Sequence, residues 1–194
     1  MSSTTRVPKT EITGLYGHLL KRFTRKLLGD VPEPAEVMWH NRPVLTAFTG
    51  VGRKAQKWDR LDPDLKSFAH MAVAALVGCS WCLDFGYFHA HNEGLGEAKA
   101  SEVPRWREST VFTPLERDVV AYAEAMSETP PTVTDELSDR LLGQLGAPAM
   151  VELAGWVAFA NMSTRCNVAL GIDSQGFSKA CALPLAERSP RYAA

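Results

Sequence analysis

The chain has little of what marks membrane-spanning, secreted or nucleic-acid-binding proteins. Its longest apolar run, Met71 to Gly78, is too short to cross a bilayer, and its polar start, Met1 to Lys9, lacks the apolar core of a signal peptide. The net charge is −1, without the basic excess that nucleic-acid binders usually have. We therefore expect a cytoplasmic protein with no membrane partner and no nucleic-acid partner.

Strand signals are also missing, because the sequence has neither a strict alternation of apolar and polar residues nor an Asn-Gly hairpin. Apolar residues instead recur at steps of three and four, which predicts an all-α chain. Asp62-Pro63 and the capping box Thr113-Pro114-Leu115-Glu116 mark helix starts, and Gly29 and Gly171 mark helix ends. The first helix carries one apolar face, formed by Ile12, Leu15, Leu19, Phe23 and Leu27.

Cysteine is scarce, and two of the four cysteines stand close together in Cys79-Ser80-Trp81-Cys82. In a cytoplasmic protein, a Cys-x-x-Cys pair indicates redox chemistry or metal binding rather than a persistent structural disulfide. The thiolate is the reactive form, and the N-terminus of a helix lowers the pKa of a thiol. A helix is predicted from about Ser80 to Asn92, with Cys82 in its first turn, which makes Cys82 the better placed nucleophile.

Three histidines stand near the pair. His89 follows Cys82 by about two helical turns on the same face, and it is the candidate base, acting through a water molecule. His91 points to another face of the helix. His70 precedes Cys79 by about two and a half turns and is expected to face away. Each histidine also fits a packed or surface role.

Two other interpretations of the pair stay open. Zinc would take two thiols and two imidazoles, from Cys79, Cys82, His89 and His91, although residues two apart on a helix diverge. Alternatively both cysteines are small buried hydrophobes, an interpretation that suits Cys166 and Cys181 better. Nearby aromatic side chains either wall a pocket or pack in the core: Trp81, Phe85 and Phe88.

The segment Gly78 to Gly86, with the apolar helix before it and Gly94-Leu95 after it, resembles the active-site segment of the alkylhydroperoxidase D-like, carboxymuconolactone decarboxylase family. The resemblance is clearest over about Val44 to Val103. It implies an alkylhydroperoxidase D-like multi-helix bundle. In that bundle, 1–42 would be an N-terminal helical extension, 43–112 the core with the dithiol, and 113–194 a C-terminal helical half packed on the core.

The resemblance also implies a homo-trimer or larger oligomer that reduces peroxides. Cys82 would attack the peroxide, Cys79 would condense with the resulting sulfenic acid, and an external dithiol would reduce the disulfide, without a bound cofactor or metal. Decarboxylation is not expected, because the decarboxylase that names the family lacks this dithiol.

Two positions depart from the peroxidase members that the chain resembles. Those members have a histidine four residues after the second cysteine, where this chain has Gly86, and a glutamate about one helix upstream, near Ser67. The sequence therefore predicts a thiol-dependent peroxidase with Cys79, Cys82 and His89 at its site. The alternatives are a non-catalytic helical oligomer that binds a small molecule or partner with a redox-sensing dithiol, and a zinc-binding module.

Overall fold

The computed structural model describes residues 5–189, and over this range the chain is all-helical, without a β-strand. The α-helices are α1 (Gly14–Leu28), α2 (Glu33–Met38), α3 (Arg42–Ala55), α4 (Pro63–Val77), α5 (Ser80–Asn92), α6 (Glu97–Ala100), α7 (Pro114–Ser127) and α8 (Asp135–Leu170). Short 3₁₀ turns lie at Trp39–Asn41, Val103–Arg105 and Phe177–Ala180. The predicted all-α class is confirmed.

Local chemistry sets the helix ends that position the site. The Asp62 side chain accepts the backbone N–H of Asp64 at 2.8 Å, and Pro63 is the first residue of α4. At the other end of α4, Gly78 adopts a left-handed conformation with φ 83°. This glycine reverses the chain between α4 and α5, so that the Cys-x-x-Cys pair begins α5.

Helix α8 consists of two segments that meet at Gly146, whose φ of 74° and ψ of 163° are not helical. The sequence predicts this interruption from Gly146 and Pro148. In the described part of the chain, α8 is the one helix long and apolar enough to cross a membrane by length and composition. Its residues Leu153, Val157 and Ala160 have no exposed surface and belong to the main core cluster. These contacts identify α8 as a helix of the main core.

The main core surrounds α4, which packs against α5, α7 and α8. Phe68, Met71 and Val73 of α4 are completely buried. A helix that is apolar on all sides suits such a central position. The Cys-x-x-Cys pair at the start of α5 therefore directly follows the C-terminal end of this central helix.

The N-terminal helices form a second, smaller cluster, whose buried members are Ile12, Val31, Ala35, Met38, Trp39 and Leu45. The apolar face predicted on α1 is not covered: Leu15, Leu19, Phe23 and Leu27 are between 60% and 81% exposed. The three-part division at 1–42, 43–112 and 113–194 stays a prediction. Its outer ends, 1–4 and 190–194, lie outside the described residues.

Candidate active site

Cys79 and Cys82 form a disulfide at the start of α5, with their Cα atoms 5.3 Å apart. Cys79 is the residue that caps α5, and its Sγ accepts the backbone N–H of Cys82 at 3.2 Å. Cys82 lies in the first helical turn, as predicted. Only 1% of Cys79 and 2% of Cys82 is exposed, so molecules reach the sulfurs through the adjoining cavities.

Cys82 lines an apolar cavity of about 190 Å³ between α3, α4, α5 and α8. Its aromatic walls are Trp81, Phe85, Trp156 and Phe159, and its polar groups are Gln56, Ser67, His70, His89, Ser163 and Asn167. The rings of Trp81 and Phe85 stack with centroids 4.9 Å apart. Phe88, the third aromatic residue expected near the pair, instead packs on Phe177. The cavity matches a small, largely apolar or aromatic molecule.

The Asn167 amide contacts the sulfur of Cys82. Its Nδ2 donates a hydrogen bond to Sγ over 3.3 Å, and the side chain of Asn167 is buried near the C-terminus of α8. A hydrogen-bond donor stabilises the charged form of an acceptor more than the neutral form. Together with the N-terminus of α5, this amide favours a thiolate at Cys82.

His70 lies in the wall of the same cavity, contrary to the expectation that it faces away. A Cβ built at Gly86 would come within 3.1 Å of Nδ1 of His70, so the absence of a side chain at Gly86 makes room for the imidazole. Burial, with a smaller contribution from His89, lowers the pKa of His70 to about 4. His70 is therefore a neutral imidazole at pH 7. The orientation differs from the expectation because α4 packs across α5, a tertiary contact that spacing does not reveal.

His89, the predicted base, also lines this cavity. Its ring stacks on Phe85, with centroids 6.3 Å apart. The structure thus brings Cys82, His89 and His70 to one cavity, which two imidazoles line rather than one. A base at either position can exchange a proton with a molecule bound beside Cys82.

Cys79 lines a different cavity, of about 230 Å³, on the other side of the disulfide. Its walls include Ser80, Asp84, Ser174 and Arg188. Burial of Asp84 opposes its ionisation, but hydrogen bonds from Ser178, Ser174 and Phe177 outweigh that effect and lower the pKa of Asp84. The two sulfurs therefore adjoin different cavities, and the charged side chains Asp84 and Arg188 line only that of Cys79.

The four residues of the zinc interpretation do not come together as one ligand set in the structure. Cys79 and Cys82 are joined in the disulfide, and Nδ1 of His91 pairs with Glu97 at 3.1 Å. His91 points away from the pair because it lies two residues beyond His89 on α5, as the helical geometry requires. The alternative zinc set of Cys79, Cys82, His89 and His91 is therefore not assembled in this structure, in which both sulfurs are in the disulfide.

Three other polar residues of α8 bond to groups other than the sulfurs. Glu152 pairs with Lys66 at 2.7 Å, Asn161 donates to Ser127, and Arg165 donates to the backbone of Ser127. The remaining cysteines are poor nucleophiles. Burial raises the pKa of Cys166, and burial together with the charges of Glu97 and Asp84 raises the pKa of Cys181 to about 11.

Sequence reasoning missed two residues of this cavity, His70 and Asn167. A signal for His70 is present in Gly86: a glycine inside a helix, beside a reactive pair, indicates that another side chain occupies its space. Asn167 gives no comparable signal, because it stands 85 residues from Cys82 in the chain. Only the packing of α8 against α5 brings its amide to the sulfur.

Comparisons with known proteins give matches in both sequence and structure. The sequence model of the carboxymuconolactone decarboxylase family matches residues 42–125. The chain is 33% identical over 162 residues to the uncharacterized protein YnjA of Escherichia coli (strain K12), an alignment that covers 82% of this chain and 87% of YnjA.

Solved structures share the fold at low sequence identity. The alkylhydroperoxidase AhpD core of an uncharacterized peroxidase-related protein from Ralstonia eutropha JMP134 is 16% identical with a TM-score of 0.78, over 95% of this chain and 100% of the other. A cysteine-to-alanine variant of the debrominase Bmp8, in complex with 2,3,4-tribromopyrrole, is 21% identical with a TM-score of 0.73, over 89% of this chain and 93% of the other. At these identities the likeness establishes the fold and leaves activity open.

Proposed function

The chain belongs to the carboxymuconolactone decarboxylase family, and from that premise we propose that it is a dithiol peroxidase that reduces small apolar peroxides. The observation that carries this proposal is the position of Cys82. Its sulfur is linked to Cys79, accepts a hydrogen bond from Asn167, and adjoins an enclosed aromatic cavity. A nucleophile with a resolving thiol and a substrate-sized cavity is what peroxide reduction requires.

The reaction begins with the reduced pair. The Cys82 thiolate attacks the terminal oxygen of ROOH, the O–O bond breaks, and the products are a Cys82 sulfenic acid and an alcohol ROH after protonation. The Cys79 thiol then attacks the sulfenic sulfur, releasing water and forming the Cys79–Cys82 disulfide. An external dithiol reduces this disulfide by two successive thiol–disulfide exchanges and is itself oxidised.

His70 is the group we assign to proton transfer at this cavity, with His89 beside it. A neutral imidazole can relay the proton of the Cys82 thiol to the departing alkoxide, accepting one proton as it releases the other, so that no imidazolium accumulates. Because the pKa of His70 is held near 4, the imidazole stays neutral across the physiological range. His70 thus takes the place that the family's peroxidases give to a histidine at the position of Gly86.

We propose that the reductant approaches through the Cys79 cavity, which the charged side chains Asp84 and Arg188 line. A thiolate entering the cavity that contains Arg188 and Ser80 would attack Sγ of Cys79, so that Cys82 leaves as a thiolate facing the substrate cavity. Limiting glutathione added to the oxidised protein should therefore be found by peptide mass spectrometry as a mixed disulfide on Cys79. A mixed disulfide on Cys82 would contradict this direction of attack.

We also propose that the protein acts in the cytoplasm, because that reducing compartment would supply the dithiol reductant.

Peroxide turnover tests the function. With cumene hydroperoxide and a dithiol reductant, the wild-type protein should turn over repeatedly, and Cys82→Ser should have no activity. The Cys166→Ser variant is the matched control, because Cys166 is a partly buried cysteine outside the cavity. Equal rates for wild type and Cys82→Ser would refute the proposal.

A second candidate is reductive dehalogenation of an aromatic heterocycle. The aromatic walls of the Cys82 cavity favour it, and the Bmp8 structure with tribromopyrrole has the same fold. In this reaction the Cys82 thiolate takes bromine from carbon as Br⁺, and the carbanion that remains is protonated. The Cys79 thiol then displaces bromide from Cys82, forming the disulfide with loss of a proton. Bromide release from tribromopyrrole, absent in Cys82→Ser, would select this candidate over the peroxidase.

We also propose that the protein self-associates through α1. The exposed apolar residues of α1 form a stripe along more than three turns, and the described part of this chain provides no cover for them. A contiguous exposed apolar surface of this kind typically marks a protein interface. A second copy of the same chain is the partner that the homo-oligomer expected from the family resemblance would supply.

A further inference from the structure

Three side chains that the peroxidase proposal does not use converge at the far end of α5. They are His91 in the last turn of α5, Glu97 at the start of α6, and Cys181 directly after the 3₁₀ turn Phe177–Ala180. One nitrogen, oxygen or sulfur atom from each lies within 4.8 Å of the other two. In the range that the structure describes, no other group of three such side chains is this close.

The carboxylate of Glu97 is oriented by groups around it. Its Oε1 accepts the backbone N–H of Ala182 at 2.8 Å and of Leu183 at 3.2 Å, and the hydroxyl of Tyr87 at 3.3 Å. Its Oε2 faces Nδ1 of His91 at 3.1 Å. Carboxylates that ligate metals are typically held in this way, with outer hydrogen bonds that fix the ligand oxygen.

We propose that His91, Glu97 and Cys181 bind Zn²⁺, with water as the fourth ligand. A thiolate, an imidazole and a carboxylate are all zinc ligands, whereas magnesium and calcium prefer oxygen alone. Tetrahedral bonds of about 2.0–2.3 Å place ligand atoms about 3.3–3.8 Å apart, so a side-chain shift of about 1 Å closes the site. The ion displaces the thiol proton of Cys181, which passes to water, and binds the imidazole of His91 in its neutral form.

The position of the site gives it a structural role. Cys181 belongs to the segment that follows Phe177–Ala180, and this segment packs on the helices: Ala186 donates to the carbonyl of Ser101 at 2.9 Å, and Leu183 accepts from Tyr87 at 2.8 Å. Zinc would tie this segment to α5 and α6. Because the same segment carries Leu185 and Arg188 into the wall of the Cys79 cavity, its attachment fixes that cavity.

Zinc titration of the oxidised protein tests the proposal, since the Cys79–Cys82 disulfide then prevents the dithiol from binding the ion. Competition with a chromophoric chelator should give one Zn²⁺ per chain. Cys181→Ser and His91→Gln should each weaken binding by at least about tenfold. Cys166→Ser and His18→Gln are the matched controls, because each removes a cysteine or a histidine elsewhere, and both should bind like wild type.

Protection of the thiol gives a second readout that is independent of peroxide turnover. Saturating zinc should slow alkylation of Cys181 by N-ethylmaleimide and leave alkylation of Cys166 unchanged. Circular dichroism in chelator verifies that each variant is folded. The proposal is overturned if the oxidised wild type takes up no zinc, or if Cys181→Ser and His91→Gln bind it as tightly as wild type. Neither result would bear on the chemistry of Cys82.

Discussion

The imidazole of His70 occupies the space that a side chain at Gly86 would fill, since a Cβ there would come within 3.1 Å of His70 Nδ1 and 3.2 Å of Met71 Cγ. The glycine and the histidine are therefore a matched pair on two crossing helices, α4 and α5. The chain lacks a histidine on α5 at this position and instead places one in the same cavity from α4. Under the proposed function, the departure from the peroxidase pattern is a relocation of the imidazole.

This relationship predicts the behaviour of a swapped pair. His70→Ala should lower the rate of Cys82 oxidation by peroxide by at least about tenfold, because it removes the proton-transfer group. Gly86→His alone should crowd His70 and lose both stability and activity. The double variant His70→Ala with Gly86→His should recover part of the rate, because the new imidazole fills the vacated space. Stopped-flow tryptophan fluorescence after peroxide addition measures each rate, and full activity in His70→Ala would contradict the assignment.

The pH dependence of stability follows from the lowered pKa of His70. Its folded pKa is about 4, against an ordinary value of 6.5, so between these values the unfolded state binds a proton that the folded state does not. Stability should therefore fall as the pH drops from 6.5 towards 4, by up to about 3 kcal/mol from this group. Urea unfolding at each pH should show a flatter profile for His70→Gln, whereas the exposed His18→Gln control should keep the wild-type slope. Identical profiles for wild type and His70→Gln would argue against a neutral, enclosed His70.

Asn167 should control the acidity of Cys82. A hydrogen bond to a charged group contributes about 1.5–3 kcal/mol, so Asn167→Ala should raise the pKa of the Cys82 thiol and slow its reaction with peroxide by about tenfold or more. Asn161→Ala is the matched control, because this asparagine lies on the same helix and bonds to Ser127 instead. The pH dependence of iodoacetamide alkylation in a Cys79→Ser background measures the thiol pKa. An unchanged pKa in Asn167→Ala would show that the amide does not stabilise the thiolate.

Self-association should depend on the exposed face of α1. Replacing Leu19 and Phe23 by glutamate should shift the protein to a monomer in analytical ultracentrifugation, because charges would then stand at the centre of the apolar stripe. Val151→Glu is the control, since Val151 is equally exposed but lies on α8. A wild-type protein that sediments as a monomer would remove the basis for this interface.

Much of the fold can be predicted from the sequence because its signals are local. The cap at Asp62-Pro63, the capping box at Thr113 and the stops at Gly29 and Gly171 each depend on a few neighbouring residues, and each appears where it is expected. The position of Cys82 in the first turn of α5 follows from the same signals. Periodicity also predicts the apolar face of α1, but it does not reveal that this chain leaves the face uncovered.

The parts of the site that the sequence does not predict depend on contacts between helices. His70 reaches the cavity because α4 crosses α5, and Asn167 reaches Cys82 because α8 packs beside both. Neither contact is encoded in spacing along one helix. The same limit applies to His91: spacing predicts that it points away from the dithiol, but only the structure shows that it pairs with Glu97 and lies near Cys181.

The most direct test of the account is to locate the first oxidation product. Reduced Cys79→Ser protein, treated with one equivalent of cumene hydroperoxide and trapped with dimedone, should carry the sulfenic acid adduct on Cys82 by peptide mass spectrometry. The reduced Cys82→Ser protein, treated in the same way, should carry no adduct on Cys79. An adduct on Cys79, with none on Cys82, would contradict the assignment of Cys82 as the nucleophile.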